Sequence, residues 1–305
     1  MIRLIASDMD GTLLQNAGFI SRHTANVIRR LQKCGIHFIV NTGREYQSAK
    51  KELDAASIQC DMICYSGACT YDHFGNPYHI RSIPKSTTKK ILHIFDKYKA
   101  YADISTNFGK SSIASPEALN HYYKHEVFPA TALEGKVYFK SEADFEHMTK
   151  SVRYFQNADS LLGSETPIYK ISTTFIDPNK IKHLRKEIEA LPELHIASTA
   201  QTNLEITQAK AQKGYALLQY ARQKNIEPYE IMAIGDSEND YSMLSLNLGC
   251  TAAMENASQM IKDICSRQTL SNDEDGVAVL MEELLMERHF YETNVLKSDD
   301  YAFGF

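Results

Sequence analysis

The sequence contains no apolar run that approaches the length of a membrane span, so we expect no transmembrane helix. It also has no long run of lysines and arginines, and its formal net charge is -5. A general nucleic-acid-binding protein normally has a basic surface, and the composition argues against that class. Internal repeats and low-complexity tracts are missing as well. The 305 residues suffice for a sizeable core and two domains.

The sequence also lacks closely paired cysteines and a targeting signal. None of the six cysteines forms a C-x-x-C pair. Cys60, Cys64 and Cys69 lie on and just after an apolar segment, where we expect buried thiols rather than a zinc site. The amino terminus lacks the charged and then apolar pattern of a signal peptide and continues directly into a predicted strand. We therefore expect a cytoplasmic protein.

A pair of carboxylates, Asp8 and Asp10, follows the first apolar segment, in the sequence Asp-Met-Asp-Gly-Thr-Leu-Leu. Residues i and i+2 of a strand point to the same side, so both acids can face one reacting centre. One can act as a nucleophile while the other handles protons. The fragment also resembles the start of a calcium loop, but Phe19 stands where an EF-hand loop needs its last glutamate.

A second acidic group, Asp236 and Asp240, follows another short apolar segment and a glycine. In parallel α/β sheets, ligands bind outside the carboxyl ends of the strands, so the two acidic groups could form one cluster. Carboxylates at close range repel one another, and a divalent cation relieves that repulsion. All-oxygen ligands beside a substrate phosphate favour Mg²⁺.

Two weaker motifs accompany the acids. Thr42, Gly43 and Arg44 follow an apolar segment, and a hydroxyl with backbone N–H groups at a helix start can hold an anion. The same fragment is also typical of an ordinary strand-to-helix turn. Lys213 opens a predicted helix, where the helix dipole disfavours a cation, and its position there favours a nearby anion.

In this order, the motifs resemble those of the haloacid dehalogenase superfamily of phosphotransferases, and more narrowly its Cof-type sugar-phosphatase-like members. The resemblance covers nearly the whole chain and is carried by the segments 8–14, 41–44, 213–214 and 235–240. It implies a Mg²⁺-dependent phosphatase acting on a small phosphorylated metabolite, with a sugar phosphate as the leading candidate. A phosphosugar mutase and a non-catalytic phosphosugar-binding regulator are the alternatives.

The resemblance also implies a role for each motif residue. Asp8 would attack phosphorus to give an aspartyl-phosphate, and Asp10 would protonate the leaving oxygen and then deprotonate the hydrolytic water. Mg²⁺ would be held by the Asp8 carboxylate, the Asp10 carbonyl and Asp236, while Asp240 would support metal-bound waters and position Lys213. Groups that would hold the phosphoryl oxygens or the substrate are Thr42, Lys213, Gly43, Arg44 and Asn239.

Predicted strands and helices alternate near both ends of the chain, which is typical of a doubly wound parallel α/β sheet. Residues 84–208 instead show a mixed α+β pattern. We expect residues 1–83 and 209–305 to form a Rossmann-like core, and 84–208 an inserted cap that selects the leaving group. Further predictions are a hairpin over 71–79, a strand over 136–140, a helix over 143–157 and a frayed terminus over 292–305.

Several positions depart from the family pattern or carry weaker signals. Ser66 stands where Cof-type proteins usually have asparagine, and Glu255 where they have glycine, which puts the substrate contacts of the family in doubt. In the insertion, Lys170 and the segment 107–110 could touch substrate. His121 and His125 have the i, i+4 spacing of metal ligands, but a third ligand is not evident, and exposed helix histidines are commoner.

Overall fold

The two apolar segments that precede the acidic groups become neighbouring strands at the centre of one sheet. The computed structural model describes residues 1–133 and 149–287. In it, β1 (Leu4–Ser7) is buried along its whole length and pairs in parallel with β2 (His37–Asn41) and with β12 (Ile231–Gly235). A strand covered by helices on both faces needs a continuous apolar sequence rather than an alternating one, and β1 and β12 meet that need.

The sheet around β1 has eight strands, and six of them are parallel. The doubly wound α/β core is therefore confirmed. Two short antiparallel strands close one edge, which confirms the predicted hairpin, although its first strand begins at Cys69 rather than Tyr71. The spatial order is β14-β13-β12-β1-β2-β3-β4-β5, where the remaining members are β3 (Asp61–Cys64), β4 (Cys69–Tyr71), β5 (Pro77–Tyr78), β13 (Cys250–Ala253) and β14 (Arg267–Gln268).

Amphipathic helices pack on this sheet. The first of them begins after Ser21, whose hydroxyl accepts a hydrogen bond from the Thr24 N–H and satisfies one of the unpaired donors of the first turn. It buries Ala25, Val27, Ile28 and Leu31 against the strands. The other helices of this part are Tyr46–Ala55, Lys213–Gln223, Tyr241–Leu244, Gln259–Ile264 and 276–287.

The described residues between 84 and 208 supply a second sheet of six strands, which we name the cap sheet. Its strands alternate in polarity: Ile104, Leu204 and Ile206 pack on a separate apolar core, while their neighbours Ser105 and Glu205 face the opposite side. The order is β10-β11-β9-β6-β7-β8, formed by β6 (Asp103–Thr106), β7 (Gly109–Ser112), β8 (Arg153–Tyr154), β9 (Ile168–Thr174), β10 (Leu194–Ala197) and β11 (Asn203–Gln208).

Helices cover the apolar side of the cap sheet and extend beyond it. Lys85–Lys97 and Pro178–Glu189 contribute Ile91, Phe95 and Leu184 to the core beneath the strands. Among the described residues of this part, the shorter helical segments are Pro116–Tyr122, a π-helical turn at Tyr123–Val127, Phe128–Leu133 and Ala158–Leu162. None of the described helices has the length and apolar composition that crossing a membrane requires.

The predicted helix over 143–157 is wrong at its carboxyl end. There, Arg153–Tyr154 is a strand paired in parallel with β7, and Val152 and Tyr154 pack in one cluster with Tyr122. Tertiary packing thus overrides a weak local preference for helix. The rest of that helix up to residue 148, the strand predicted over 136–140 and the terminus over 292–305 lie outside the described residues.

Candidate active site

Three carboxylates converge where β1 and β12 end. Asp8 follows β1 directly, and its N–H donates to the carbonyl of Ile234 in β12 at 3.0 Å. Asp236 and Asp240 come from the loop after β12, and one oxygen from each of the three carboxylates lies within 4.8 Å of the others. Asp8 and Asp240 are buried and Asp236 is half-buried. The rule that ligands bind beyond the carboxyl ends of parallel strands therefore locates this cluster correctly.

Lys213 lies at the centre of the acidic cluster. Its Nζ donates to Asp8 Oδ1 and to Asp240 Oδ1, both at 2.6 Å, and approaches Asn239 Oδ1 at 3.4 Å. Burial alone would lower the pKa of Lys213, but the carboxylates of Asp240 and Asp8 outweigh burial and raise it. The ammonium is thus permanently charged and fixes the orientation of the Asp8 carboxylate.

The oxygen ligands of the cluster fit a divalent cation. Burial, and then repulsion from Asp240, raises the pKa of Asp8 to about 7, so its ionised form is costly without a further positive charge. The three carboxylates supply a set of oxygen donors that suits Mg²⁺. Asp240 is already engaged, because its Oδ2 accepts from the N–H groups of Asp236 and Ser237 at 3.0 and 3.1 Å. Asp8 and Asp236 are thus the side chains best placed to hold the ion.

Gly11 permits the close approach of the two acidic loops. A Cβ added at this position would lie 2.5 Å from Asp236 Oδ2, and its φ of +77° is one that glycine adopts without strain. Next to it, the Thr12 hydroxyl donates to Asp236 Oδ1 at 3.2 Å. The Gly-Thr pair after the first two acids therefore helps to seat the third acid.

Asp10 forms a bidentate pair with Arg44. Nε of Arg44 donates to Oδ2 and its Nη2 donates to Oδ1, at 2.8 and 2.7 Å. Both side chains are partly exposed to the cavity described below. The sequence motif predicted that Arg44 would bind phosphate or substrate, and this pair with Asp10 was not predicted.

The loop that contains Thr42, Gly43 and Arg44 borders the same cavity. The Thr42 side chain is buried, and its hydroxyl accepts from the Arg44 N–H at 3.1 Å. Gly43 and Arg44 line the cavity wall, as does Asn239 across from them. Thr42, Lys213 and Asp240 are almost fully buried and support that wall from behind.

A cavity of about 370 Å³ separates the acidic cluster from the cap sheet. Lys110 and Lys170, two of the cap candidates from the sequence, lie on its wall. Several wall residues were not foreseen. The position of Glu205 on this wall could have been predicted from the sequence, because a charged residue between two apolar residues of a strand must face away from the apolar core. The described residues of the wall are Asp8, Asp10, Gly43, Arg44, Glu45, Ser48, Asp103, Ser105, Lys110, Lys170, Ser172, Thr199, Glu205, Asp236, Ser237 and Asn239.

The remaining candidates from the sequence occupy different places. Ser66 is buried, and its hydroxyl donates to Glu205 Oε2 at 2.8 Å, so this departure from the family pattern joins the core to the cap sheet. Glu255 is exposed, and its N–H donates to the carbonyl of Leu270. The rings of His121 and His125 lie 4.2 Å apart, and within residues 1–133 and 149–287 no third metal ligand joins them.

Comparisons with known proteins agree on one family. The model of the haloacid dehalogenase-like hydrolases matches residues 5–281. Phosphatase YwpJ of Bacillus subtilis strain 168 is 32% identical over 289 residues, which are 93% of this chain and 100% of that protein. From the same organism, 5-amino-6-(5-phospho-D-ribitylamino)uracil phosphatase YwtE is 29% identical, with 93% and 98% covered. The solved structure of a haloacid dehalogenase-like hydrolase from B. subtilis superposes with a TM-score of 0.81 at 30% identity, covering 93% of this chain and 100% of that one.

Proposed function

The chain belongs to the haloacid dehalogenase-like hydrolases and is a phosphatase of that family, and we propose that it hydrolyses a small phosphorylated metabolite through an aspartyl-phosphate on Asp8. The observation that carries the proposal is the contact of Lys213 with both Asp8 and Asp240, in a cluster with Asp236 at the edge of a polar cavity. A fixed ammonium beside a carboxylate suits a dianionic phosphate, because catalysis of phosphoryl transfer rests on positioning and on charge neutralisation.

The proposed cofactor is Mg²⁺, held by Asp8, Asp236 and the backbone carbonyl of Asp10. The three neighbouring carboxylates and their all-oxygen donor set support this choice. When bound, the ion would neutralise charge on the phosphoryl oxygens. Asp240 would keep Lys213 and the Asp236 backbone in place.

In the proposed first step, a carboxylate oxygen of Asp8 attacks phosphorus while the bond from phosphorus to the leaving oxygen breaks. Asp10 gives its proton to that oxygen, and the alcohol departs. In the second step, water attacks the phosphorus of the aspartyl-phosphate, its proton passes to Asp10, and the Asp8 carboxylate is regenerated. Gly43 and Asn239 line the cavity beside Asp8 and would surround the phosphoryl group, while Lys213 contacts Asp8 from behind the cavity wall.

The pairing of Asp10 with Arg44 bears on both steps. A guanidinium at this distance favours the ionised carboxylate, which is the form that accepts a proton from water. The first step needs the protonated form, and the incoming phosphate dianion competes with Asp10 for the same guanidinium. Arg44 would therefore pair with the phosphate in the first step and with the Asp10 carboxylate in the second.

The leading substrate class is a phosphorylated polyol or sugar. Among the described residues that line the cavity, none has an aliphatic or aromatic side chain, so the leaving group would bind through hydrogen bonds. The relative YwtE acts on a phosphoribityl compound, whose leaving group also carries a chain of hydroxyls. We propose that residues 84–208 act as a cap over a core made of 1–83 and 209–305, because the cap sheet supplies one wall of the cavity.

The decisive experiment measures phosphate release by the purified protein with Mg²⁺ and a panel of sugar, polyol and nucleotide phosphates. We expect turnover of a polyol or sugar phosphate that disappears in Asp8→Asn and persists in Asp54→Asn, a change of an exposed carboxylate on the helix Tyr46–Ala55. Turnover that is absent from the unmodified protein, or unchanged in Asp8→Asn, would contradict the proposal. Conversion of one phosphate isomer into another without phosphate release would indicate a mutase.

A further inference from the structure

We propose that Lys170 and Glu205 of the cap sheet are positioning residues for the phosphate-binding loop Thr42–Arg44. The inference rests on the proposed function, because that loop is taken to bind the transferring phosphoryl group. Lys170 in β9 reaches out of the cap sheet, and its Nζ donates to the backbone carbonyl of Gly43 at 2.7 Å. A cap residue thereby holds the backbone of the loop itself.

All three carbonyls of the loop are anchored. The Thr42 carbonyl accepts from the Ser66 N–H, and the Arg44 carbonyl accepts from the Tyr65 N–H, both at 3.0 Å. The Gly43 carbonyl between them accepts from Lys170 Nζ. In a trans peptide the N–H of the next residue points opposite to the carbonyl. Anchoring these carbonyls therefore fixes the direction of the Gly43 N–H, which would face phosphate, and of the Arg44 N–H, which holds the Thr42 hydroxyl in place.

Glu205 in β11 completes the link between Lys170 and the core. Its Oε1 accepts from Lys170 Nζ, and its Oε2 accepts from the Ser66 hydroxyl, both at 2.8 Å. The Lys170 and Glu205 residues are 7% and 8% exposed, so little water screens the pair. Burial raises the pKa of Glu205, but Lys170, the hydrogen bond from Ser66 and the charge of Lys213 together outweigh burial and lower the net pKa, which keeps the carboxylate charged.

The cap sheet also supports the turn that anchors the other two carbonyls. Tyr65 and Ser66 have φ values of 53° and 56°, a left-handed conformation that residues other than glycine adopt at a cost. The Tyr65 ring lies 4.9 Å from the ring of Tyr169 in β9, and its hydroxyl donates to the Thr106 carbonyl of β6. The cap sheet thus contacts or supplies each of the three groups that hold the loop carbonyls. The position of the cap sheet is therefore coupled to phosphate binding at the loop.

A direct contact with the leaving group is the competing role for Lys170 and Glu205, since both line the cavity. The two roles differ in their dependence on substrate. A positioning residue acts on the phosphoryl group that every substrate shares, so its loss lowers the turnover of all substrates alike. A leaving-group contact matters only for substrates whose leaving group reaches the cap sheet.

The test compares Lys170→Met and Glu205→Gln with Lys97→Met and Glu187→Gln, which change a lysine–glutamate pair in the same part of the chain whose side chains are 63% and 33% exposed. We expect the first two changes to lower kcat/KM roughly 10-fold or more, the usual effect of losing a charge-assisted hydrogen bond. The loss should be similar for acetyl phosphate, p-nitrophenyl phosphate and the best metabolite. Binding of inorganic phosphate with Mg²⁺, measured by calorimetry, should weaken by a similar factor.

Two results would overturn the positioning role: a loss confined to the metabolite, or phosphate binding that is unchanged in both variants. If Lys170→Met does not fold, Ser66→Ala removes a single link of the network and should give a smaller loss of the same kind. Failure of the proposed function is recognised separately, because it would abolish turnover in the unmodified protein. If the unmodified protein turns over substrate but Lys170→Met and Glu205→Gln behave like the Lys97→Met control, only this inference is contradicted.

Discussion

Arg44 holds both carboxylate oxygens of Asp10 through parallel hydrogen bonds of 2.8 and 2.7 Å. Such a fork-to-fork contact fixes the plane of the carboxylate as well as its position. Because Asp10 is the proposed acid and base, its plane decides how well its proton meets the leaving oxygen. The pair therefore links the Thr42–Arg44 loop to the proton transfers as well as to phosphate.

Arg44→Lys should impair substrates with poor leaving groups most strongly. Lysine keeps the charge but cannot reproduce the two parallel bonds, so Asp10 loses its fixed orientation. General acid catalysis contributes roughly 10²–10⁴-fold, and we expect a loss of roughly 100-fold in kcat/KM for an alkyl phosphate. For p-nitrophenyl phosphate, whose leaving group needs no proton, the loss should be much smaller.

Steady-state kinetics of the two substrates measure this difference, with Arg29→Lys as a control on the surface of the first helix, where Arg29 donates to the Ala56 carbonyl. Equal losses for the alkyl and aryl phosphates would show that Arg44 serves phosphate binding alone.

Removal of divalent cations should abolish turnover and destabilise the protein. Oxygens of Asp8, Asp236 and Asp240 lie within 4.8 Å of one another, so these carboxylates repel one another when ionised. Mg²⁺ should therefore raise the Tm of the unmodified protein after treatment with a chelator, because a ligand that binds only the folded state stabilises it. In Asp236→Asn the repulsion is weaker and a ligand is lost, so the Tm should respond little to Mg²⁺. A rise in Tm as large as that of the unmodified protein would place the cation elsewhere.

The convergence of the acidic groups could be predicted because it depends on strand order, which sequence patterns reveal. Apolar segments of four to five residues mark β1 and β12, and the chain topology of parallel sheets places their carboxyl ends together. Lys213 was also found by its unusual place at a helix start. These features are set by local sequence and by a general rule of architecture.

The contacts between loops could not be predicted in the same way. Whether Arg44 reaches phosphate or Asp10 depends on its rotamer and on the distance between two loops, and neither has a signature in the chain. In the cap sheet, β6 and β7 are short and rich in serine, so their alternation is weak, and β8 has two residues. Short strands take their conformation from their partners, which leaves little for a sequence pattern to show.

Gly214→Ala should destabilise the core next to the active site. A Cβ at this position would lie 1.9 Å from the backbone carbonyl of Ser242, so the helix Lys213–Gln223 would have to move away from Tyr241–Leu244. Overpacking of this kind costs roughly 1–3 kcal/mol, and the shift would also displace Lys213 from Asp8. We expect a lower Tm together with a loss of turnover.

Gly18→Ala is the matched control for that prediction. Gly18 has a φ of +85°, but no atom lies within 4 Å of a Cβ added there. This change should cost only the strain of the left-handed backbone, about 1–2 kcal/mol, and leave turnover intact. If Gly214→Ala kept full activity and lost no more stability than Gly18→Ala, the close packing of these two helices would be contradicted.

The Lys170–Glu205 pair should make stability depend on pH in the acidic range. Burial raises the pKa of Glu205, but Lys170, Ser66 and Lys213 together outweigh burial, so its folded-state pKa lies below the ordinary value of 4.5. A carboxyl group with a depressed pKa contributes stability above its unfolded-state value and loses that contribution as the pH falls through the folded-state value. Breaking a buried pair costs about 3–5 kcal/mol, so Glu205→Gln should be clearly less stable than the unmodified protein at pH 7.

The difference in unfolding free energy between these two proteins, measured by urea denaturation from pH 7 to pH 3, should therefore be constant above about pH 5 and narrow below pH 4.5. Glu187→Gln provides the comparison. Hydrogen bonds from Lys97 and Tyr98 also lower the pKa of Glu187, but solvent screens the charges at the surface, so the corresponding difference in stability should be much smaller at every pH. If the difference in unfolding free energy between Glu205→Gln and the unmodified protein stayed constant down to pH 3, the shape of the Glu205 side chain, and not its charge, would set its contribution to stability.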